Sequence, residues 1–253
     1  MKTPQKQAKT NSNNCQMPLY TKGVSCRYPN QKIYAIKDIN ITVDKASIIG
    51  ILGPNGAGKS TFLKSALDLQ PSEGTIRFFG QTFNEAKHRV AYIPQRSSID
   101  WDFPVSALDV CLMGIYPRIG WLKRITKAHK EEAMSYLERV QLQDFAHRQV
   151  GALSGGQQQR VFMARALAQK ADLFLLDEPM AGIDQKTQDL LFSLFKNLTK
   201  EKKTLIIIHH NLQAVQEHFD HAILINQQVI AQGHPQNVLS SENIHKAYSA
   251  VIS

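Results

Sequence analysis

No segment of this 253-residue chain is long and apolar enough to cross a lipid bilayer as a helix. A spanning helix needs about 20 mostly apolar residues. The longest apolar runs, Ile48 to Leu52, Leu173 to Leu176 and Leu205 to Ile208, are far shorter. Cysteine is scarce too. Cys15, Cys26 and Cys111 are odd in number and form no C-x-x-C pair, which argues against a disulfide framework and fits a reducing cytoplasm. Acidic residues are outnumbered, 21 against 30 basic ones, giving a formal charge of +9. That balance suits an anionic ligand, a membrane surface or nucleic acid and does not choose among them. Internal repeats and long heptad runs are missing, so one domain is expected rather than a tandem pair or a coiled-coil arm. Residues 1–17 lack the apolar block of a secretory signal. They are rich in Gln, Asn, Thr and Lys, with too little apolar surface to offset the entropy of ordering, and read as a disordered polar tail.

What is present, at 43% hydrophobic residues, is enough for one large domain over residues 18–253. Leu19 to Arg27 and Ile36 to Val43 have strand-like composition and are separated by Pro29-Asn30. The continuous run Ile48 to Leu52 predicts a strand buried on both faces, followed by a glycine-rich turn and a helix from Lys59 to Asp68. Gly74 to Phe79 and Arg89 to Ile93 read as strands. The stretch of about 96–152 differs in character, with turn signals and a helix near Lys127 to Val140, and is expected to be a helical insertion. Beyond it come a helix at Gly156 to Gln169, a strand at Leu173 to Asp177, an amphipathic helix at Lys186 to Thr199, a buried strand at Leu205 to Ile208 and a hairpin within Ala222 to Ala231. Strands alternating with helices in this way predict a parallel sheet with helices on both faces. A last helix from Ser241 to Ser253, with Ile244, Ala247, Tyr248 and Val251 on one face, is expected to cover the core, with contact to a partner as the alternative.

Gly53, Pro54, Asn55, Gly56, Ala57, Gly58, Lys59, Ser60 and Thr61 match the pattern G-x-x-x-x-G-K-[ST] in full. The glycines let the backbone curl so that successive N–H groups face one anion. Lys59 brings a positive charge to the β- and γ-phosphates, Ser60 a hydroxyl to Mg²⁺, and the helix that begins here its positive dipole end. The glycine order disfavours a dinucleotide site of the G-x-G-x-x-G type. A second acid on the magnesium side is supplied where the apolar run Leu173 to Leu176 ends in Asp177 and Glu178. Asp177 is placed to reach the Mg²⁺ shell and Glu178 to polarise a water.

Leu153-Ser154-Gly155-Gly156-Gln157 opens the following helix with a hydroxyl and free N–H groups. It resembles the signature motif of ATP-binding-cassette (ABC) proteins and stands ahead of the acidic strand, where that family places it. Other segments follow the family's order. Gln95 resembles the Q-loop glutamine that senses Mg²⁺ and the permease. Ala181-Gly182-Ile183-Asp184 stands where the D-loop lies, with its first residues departing from the commoner Ser-Ala-Leu-Asp, so that Asp184 is the position carried over. His210 resembles the switch histidine that contacts the γ-phosphate, with Asn211 in place of the usual Asp. Tyr28 is the candidate for stacking on adenine, with Tyr34 second by spacing. The resemblance spans Leu19 to about Gly233. It implies an α/β fold, a P-loop NTPase core with a mainly parallel sheet, an N-terminal antiparallel β subdomain and a helical insertion. It also implies two nucleotide domains that sandwich ATP between the P-loop of one and the signature motif of the other. Glu178, His210, Lys59 and Gln95 would then be catalytic, with Ser60, Gln95 and Asp177 serving Mg²⁺.

A nucleotide domain separate from its permease resembles bacterial importers. The stretch Tyr92 to Val105, with Asp109 to Gly114, Gly120-Trp121 and His209-His210-Asn211-Leu212, looks like the manganese, zinc and iron branch. That implies a membrane permease, a second nucleotide subunit forming a homodimer, an extracytoplasmic solute-binding protein, and a place at the cytoplasmic face of the membrane. Iron-chelate or haem import is the nearest alternative. A soluble ABC ATPase acting on nucleic acid or ribosomes is a different class, and the aromatic–basic interleaving of single-strand platforms is missing. His209, His210, His218 and His221 do not form a tidy ligand set for a structural metal. Trp101 and Phe103 are read either as a surface that receives a permease helix or as packing of the insertion.

Overall fold

The computed structural model describes residues 17–29, 31–120 and 123–249. The polar tail expected at 1–17, apart from Met17, lies outside these residues, as do Trp121 and the expected end of the last helix at 250–253.

Burial along the first two strands, β1 (Leu19–Cys26) and β2 (Ile36–Val43), gives each one face on a core. A register slip between them brings both Ile36 and Ile39 inward. Strand β3 (Ile48–Leu52) differs in being buried at every position. With β4 (Glu73–Arg77) the first two strands form an antiparallel sheet ordered β2-β1-β4. The larger sheet also contains β5 (Val90–Ile93), β6 (Leu173–Asp177), β7 (Thr204–Ile208), β8 (His221–Asn226) and β9 (Gln228–Gly233), in the order β5-β6-β7-β3-β8-β9. Every pairing in it is parallel except the terminal hairpin β8-β9.

The continuous apolar runs follow from where this sheet sits. Leu52, Phe174, Leu176, Leu205 and Ile207 belong to the core under the helical layer. Their neighbours Ile49, Ile51, Leu173, Leu175, Ile206 and Ile208 face the second core, shared with the antiparallel sheet. A strand with a core on each side has no face to give to polar residues.

Helix α1 (Lys59–Ala66) sends Phe62, Leu63 and Ala66 into the second core, and the short α2 (Phe83–Ala86) is closed by a Thr82–Glu85 capping box. Between β5 and β6 the chain builds three helices that pack on one another: α3 (Ala107–Ile119), α4 (Lys127–Arg139) and α5 (Gly155–Ala168). Then come α6 (Gln185–Lys200), α7 (Leu212–His218), α8 (Pro235–Val238) and α9 (Ser241–Tyr248). In α9, Ala247 is buried, and Ile244 and Tyr248 pack on the core.

Helix α3 goes beyond the helix expected in the insertion. Gly114 and Pro117 disguise it, but its start carries a readable signal, the Ser106–Asp109 capping box. Pro117 lies in the last turns, and Gly114 permits close approach, since a Cβ there would lie 2.0 Å from the Arg165 carbonyl oxygen of α5. Gly114→Ala is therefore expected to push α3 off α5 and destabilise the fold by about 1–3 kcal/mol. A lower urea midpoint checks this; an unchanged one would show that the two helices do not meet here.

Candidate nucleotide site

Parallel pairing in the order β5-β6-β7-β3 brings the carboxyl ends of these strands to one edge, the usual place for a ligand in such sheets. Gln95 follows β5, Asp177 ends β6 with Glu178 next, His210 follows β7, and the turn 53–58 follows β3. Residues far apart in sequence thus become neighbours.

The turn is shaped by two glycines. Gly53 has φ 146°, and a Cβ there would stand 1.9 Å from the Ile225 carbonyl oxygen. Gly58 has φ 90° and precedes α1, where a Cβ would meet the Ala35 carbonyl oxygen at 2.4 Å. Lys59 is buried, and its Nζ donates to the Gly53 and Pro54 carbonyl oxygens, both at 2.8 Å. Burial lowers its pKa, opposed by the charges of Glu178 and Asp177. Ser60 Oγ donates to Asp177 Oδ1 at 3.0 Å. Burial raises the pKa of Asp177, opposed by that hydrogen bond. The Tyr28 and Thr61 hydroxyls share a hydrogen bond of 3.0 Å. Over this turn lies an open cavity of about 500 Å³ lined by Tyr28, Tyr34, Asn55, Lys59, Thr61 and Glu178, among others.

Glu178 adopts φ 53°, unusual for a residue with a side chain. Its carboxylate accepts from Gln95 Nε2 at 2.9 Å and lies 2.5 Å from His210 Nε2. The acid is thus held between groups following β5 and β7. His209, one residue before, is buried in contact with Phe192 and Phe219. Its Nε2 has no hydrogen-bond partner. Burial, with His210 and His218 nearby, lowers its pKa to about 4, against the pull of Glu178.

The signature segment forms a second group. Ser154 caps α5 in a box with Gln157, whose Oε1 accepts from the Ser154 N–H at 2.9 Å. Asp184 caps α6, accepting from Thr187 N at 3.0 Å and Thr187 Oγ1 at 2.8 Å, and these bonds lower its pKa. The two helix starts abut: a Cβ on Gly156 would be 3.1 Å from Thr187 Oγ1 and 3.6 Å from Asp184 Oδ2. None of Ser154, Gly155, Gly156, Gln157 or Asp184 lines the cavity above the turn.

Tyr28 and Tyr34 both line that cavity, and Tyr34 also carries the Arg27 guanidinium 4.5 Å from its ring. Gln227 is a lining residue that sequence reasoning missed. It comes from the β8–β9 turn and reaches the site because its N–H donates to the Ala57 carbonyl oxygen at 2.9 Å, a contact no local pattern announces. Among the described residues no group of three or more His, Cys, Asp or Glu side chains is arranged to hold a metal ion.

A buried lysine in a glycine-rich strand-to-helix turn, with its serine bonded to the acid ending a parallel strand two places along the same sheet, defines a P-loop nucleotide-binding protein. The family model for ABC transporters matches residues 36–181, and the chain belongs to that family as an ATP-binding ATPase subunit. It is 45% identical to the manganese transport system ATP-binding protein MntB of Bacillus subtilis, over 91% of this chain and 92% of that protein. It is 46% identical to the zinc transport system ATP-binding protein TroB of Treponema pallidum, over 85% of this chain and 82% of that one. Among solved structures, an inward-facing metal-chelate-type ABC transporter superposes with TM-score 0.81 at 27% identity, covering 92% of this chain and 90% of that one. A nucleotide-free ATP-binding cassette gives 0.79 at 25% identity, covering 92% and 99%. Among the described residues no helix is long and apolar enough to cross a membrane.

The lowered pKa of His209 has a stability consequence with a definite sign. The unfolded imidazole takes a proton below about pH 6.5, whereas the folded one resists until about pH 4. The contribution is complete above the unfolded value and lost as pH falls between the two, by up to about 3 kcal/mol. Urea unfolding at pH 7.5 and pH 5 is expected to show a smaller drop in His209→Phe than in the parent. Equal drops would remove His209 as the cause.

Proposed function

We propose that this chain is the ATP-hydrolysing subunit of an importer for manganese, iron or zinc, acting on a membrane permease at the cytoplasmic face. The observation that carries the chemistry is Glu178, held by Gln95 and His210 one residue past the Asp177–Ser60 bond. The cargo reading is supported by 45–46% identity to the manganese and zinc transport subunits over most of both chains.

ATP is read as lying with adenine on Tyr28 and its phosphates over Gly53, Pro54, Asn55, Gly56, Ala57, Gly58, Lys59, Ser60 and Thr61. Its arrival would exchange the Gly53 and Pro54 carbonyls for phosphate oxygens at Lys59 Nζ. Mg²⁺ fits the oxygen donors here: the Ser60 hydroxyl, the Asp177 carboxylate acting through water, and Gln95. When bound it supplies charge neutralisation at the phosphates. Glu178 orients the attacking water and accepts its proton, His210 contacts the γ-phosphate, and Lys59 stabilises charge on the transferring group.

Because Ser154, Gly155, Gly156, Gln157 and Asp184 do not line the cavity of their own chain, they are assigned to the nucleotide of a second copy, giving a homodimer with ATP at the interface. Residues 18–253 form one nucleotide-binding domain in this reading, with 96–152 as its helical insertion. An apolar groove of about 320 Å³ beside the Q-loop, with Trp101, exposed Phe103 and Met113, suits a permease helix. An extracytoplasmic solute-binding protein completes the system, and no nucleic acid is involved. Iron-chelate or haem import is the second reading, favoured by the likeness to a metal-chelate-type transporter.

Glu178→Gln is expected to lower the ATPase kcat by about 10²–10⁴-fold and to accumulate an ATP-bound dimer on gel filtration. Hydrolysis at the parent rate would remove Glu178 as base, and a protein that stays monomeric with Mg²⁺-ATP at every concentration would sink the paired site. With its permease in proteoliposomes, ATPase stimulation by manganese-, iron- or zinc-loaded binding protein supports the cargo reading. Stimulation only by a ferric chelate or haem overturns it.

A further inference from the structure

The two residues that follow Pro94 bond to different parts of the molecule. Gln95 Nε2 reaches Glu178 at 2.9 Å. Arg96 reaches α5 instead: its Nε and Nη2 both donate to Gln158 Oε1, at 3.0 and 2.8 Å. Gln158 is only 3% exposed, and its Nε2 donates to the Val150 carbonyl oxygen at 3.1 Å, at the turn leading to Ser154. One buried amide therefore joins Arg96 to both ends of the signature segment. A charge-assisted bond onto a buried, otherwise satisfied amide is among the stronger polar contacts a protein makes.

Two further contacts fix the guanidinium. A Cβ on Gly155 would lie 3.1 Å from Arg96 Cζ and Nη1, so the glycine leaves the room in which the cation sits against the first turn of α5. On the other side, Trp101 Nε1 donates to the Arg96 carbonyl oxygen at 3.0 Å, and its ring centroid is 5.6 Å from Cζ. Two donors on one acceptor resist rotation, which the single ammonium of a lysine does not.

We infer that Arg96 is a positioning residue that ties Gln95, at one nucleotide, to the pose of the Ser154–Gln157 segment, which serves the other. The inference rests on the paired-site reading above. When a nucleotide draws Gln95 off Glu178, the shared backbone of residues 95 and 96 moves the guanidinium. Gln158 passes that shift to the start of α5. The catalytic edge and the signature segment of one chain are thereby linked, and each site reports its occupancy to the other.

The test uses full-length protein in the Glu178→Gln background and measures two quantities separately. Binding of a fluorescent ATP analogue by the monomer should stay within about twofold in Arg96→Ala, because the P-loop and Tyr28 are untouched. ATP-driven dimerisation should weaken by about tenfold or more, as for loss of a charge-assisted bond. Gln158→Ala should match it, the double variant should be no worse than either single within about twofold, and Arg96→Lys should recover only part. Unchanged dimerisation, additive single effects, or a parallel fall in monomer affinity and thermal midpoint would overturn the inference. Should Arg96→Ala not fold, Arg96→Lys and Gln158→Ala carry the same comparison. If Glu178→Gln alone fails to dimerise, the paired-site reading fails instead.

Discussion

The structure depends on one strand that has no solvent face. Residues 48–52 lie between two cores, so their backbone groups can be satisfied only by ladders on both sides. Parallel pairing with β7 and β8 does this, and β6 and β5 continue the sheet. Parallel strands share a direction, so their carboxyl ends gather at one edge. Everything chemical follows from that edge. Ser60 meets Asp177 across 117 positions of sequence, and Gln95 meets Glu178 across 83. The turn itself is locked from behind, because Gly53 lies too close to the Ile225 carbonyl for any side chain.

The polar groups at this edge are satisfied by one another. Lys59 bonds to carbonyls of its own loop, Ser60 to Asp177, Tyr28 to Thr61, and Glu178 to Gln95 and His210. A buried ammonium left unpaired would be costly. The loop therefore supplies its own acceptors at 2.8 Å, and a phosphate has only to replace them. The opposite pKa directions of Lys59 and Asp177 share one cause, burial that penalises either charge. Ligands of opposite sign, phosphate beside one and a cation beside the other, would relieve both.

How much of this was legible depends on whether the signal was local. The run Ile48 to Leu52 announced two-sided burial, the runs Leu173 to Leu176 and Leu205 to Ile208 announced strands, and the observed strands fall on all three. The phosphate turn was legible because backbone curvature imposes its glycines at fixed spacing. Helix α3 was hidden by Gly114 and Pro117: packing against α5 accounts for the glycine, and the exposed proline falls in the last turns. Gln227 was hidden because its place comes from a hairpin turn bonding to Ala57. Arg96 was read only as part of a family-like stretch. Its bonds to Gln158 span 62 positions and have no spacing rule.

The placement of the signature segment bears on the proposed sharing of the site between copies. Ser154 and Gln157 satisfy each other in the capping box, while Gly155 and Gly156 give the start of α5 no side chains of its own. Packing explains that smoothness in part: Gly155 makes room for Arg96 and Gly156 for Thr187 and Asp184. Both contacts are made by side chains beside the first turn. They fix its pose while leaving its free N–H groups to an anion. The cavity of the same chain does not include these groups. In the proposed paired site, a helix start with free N–H groups that lies outside the cavity of its own chain would meet the phosphate of another molecule. In that pair the glycines at 155 and 156 would meet two demands at once, close approach of Arg96 and Asp184 and an unobstructed path for the partner's nucleotide.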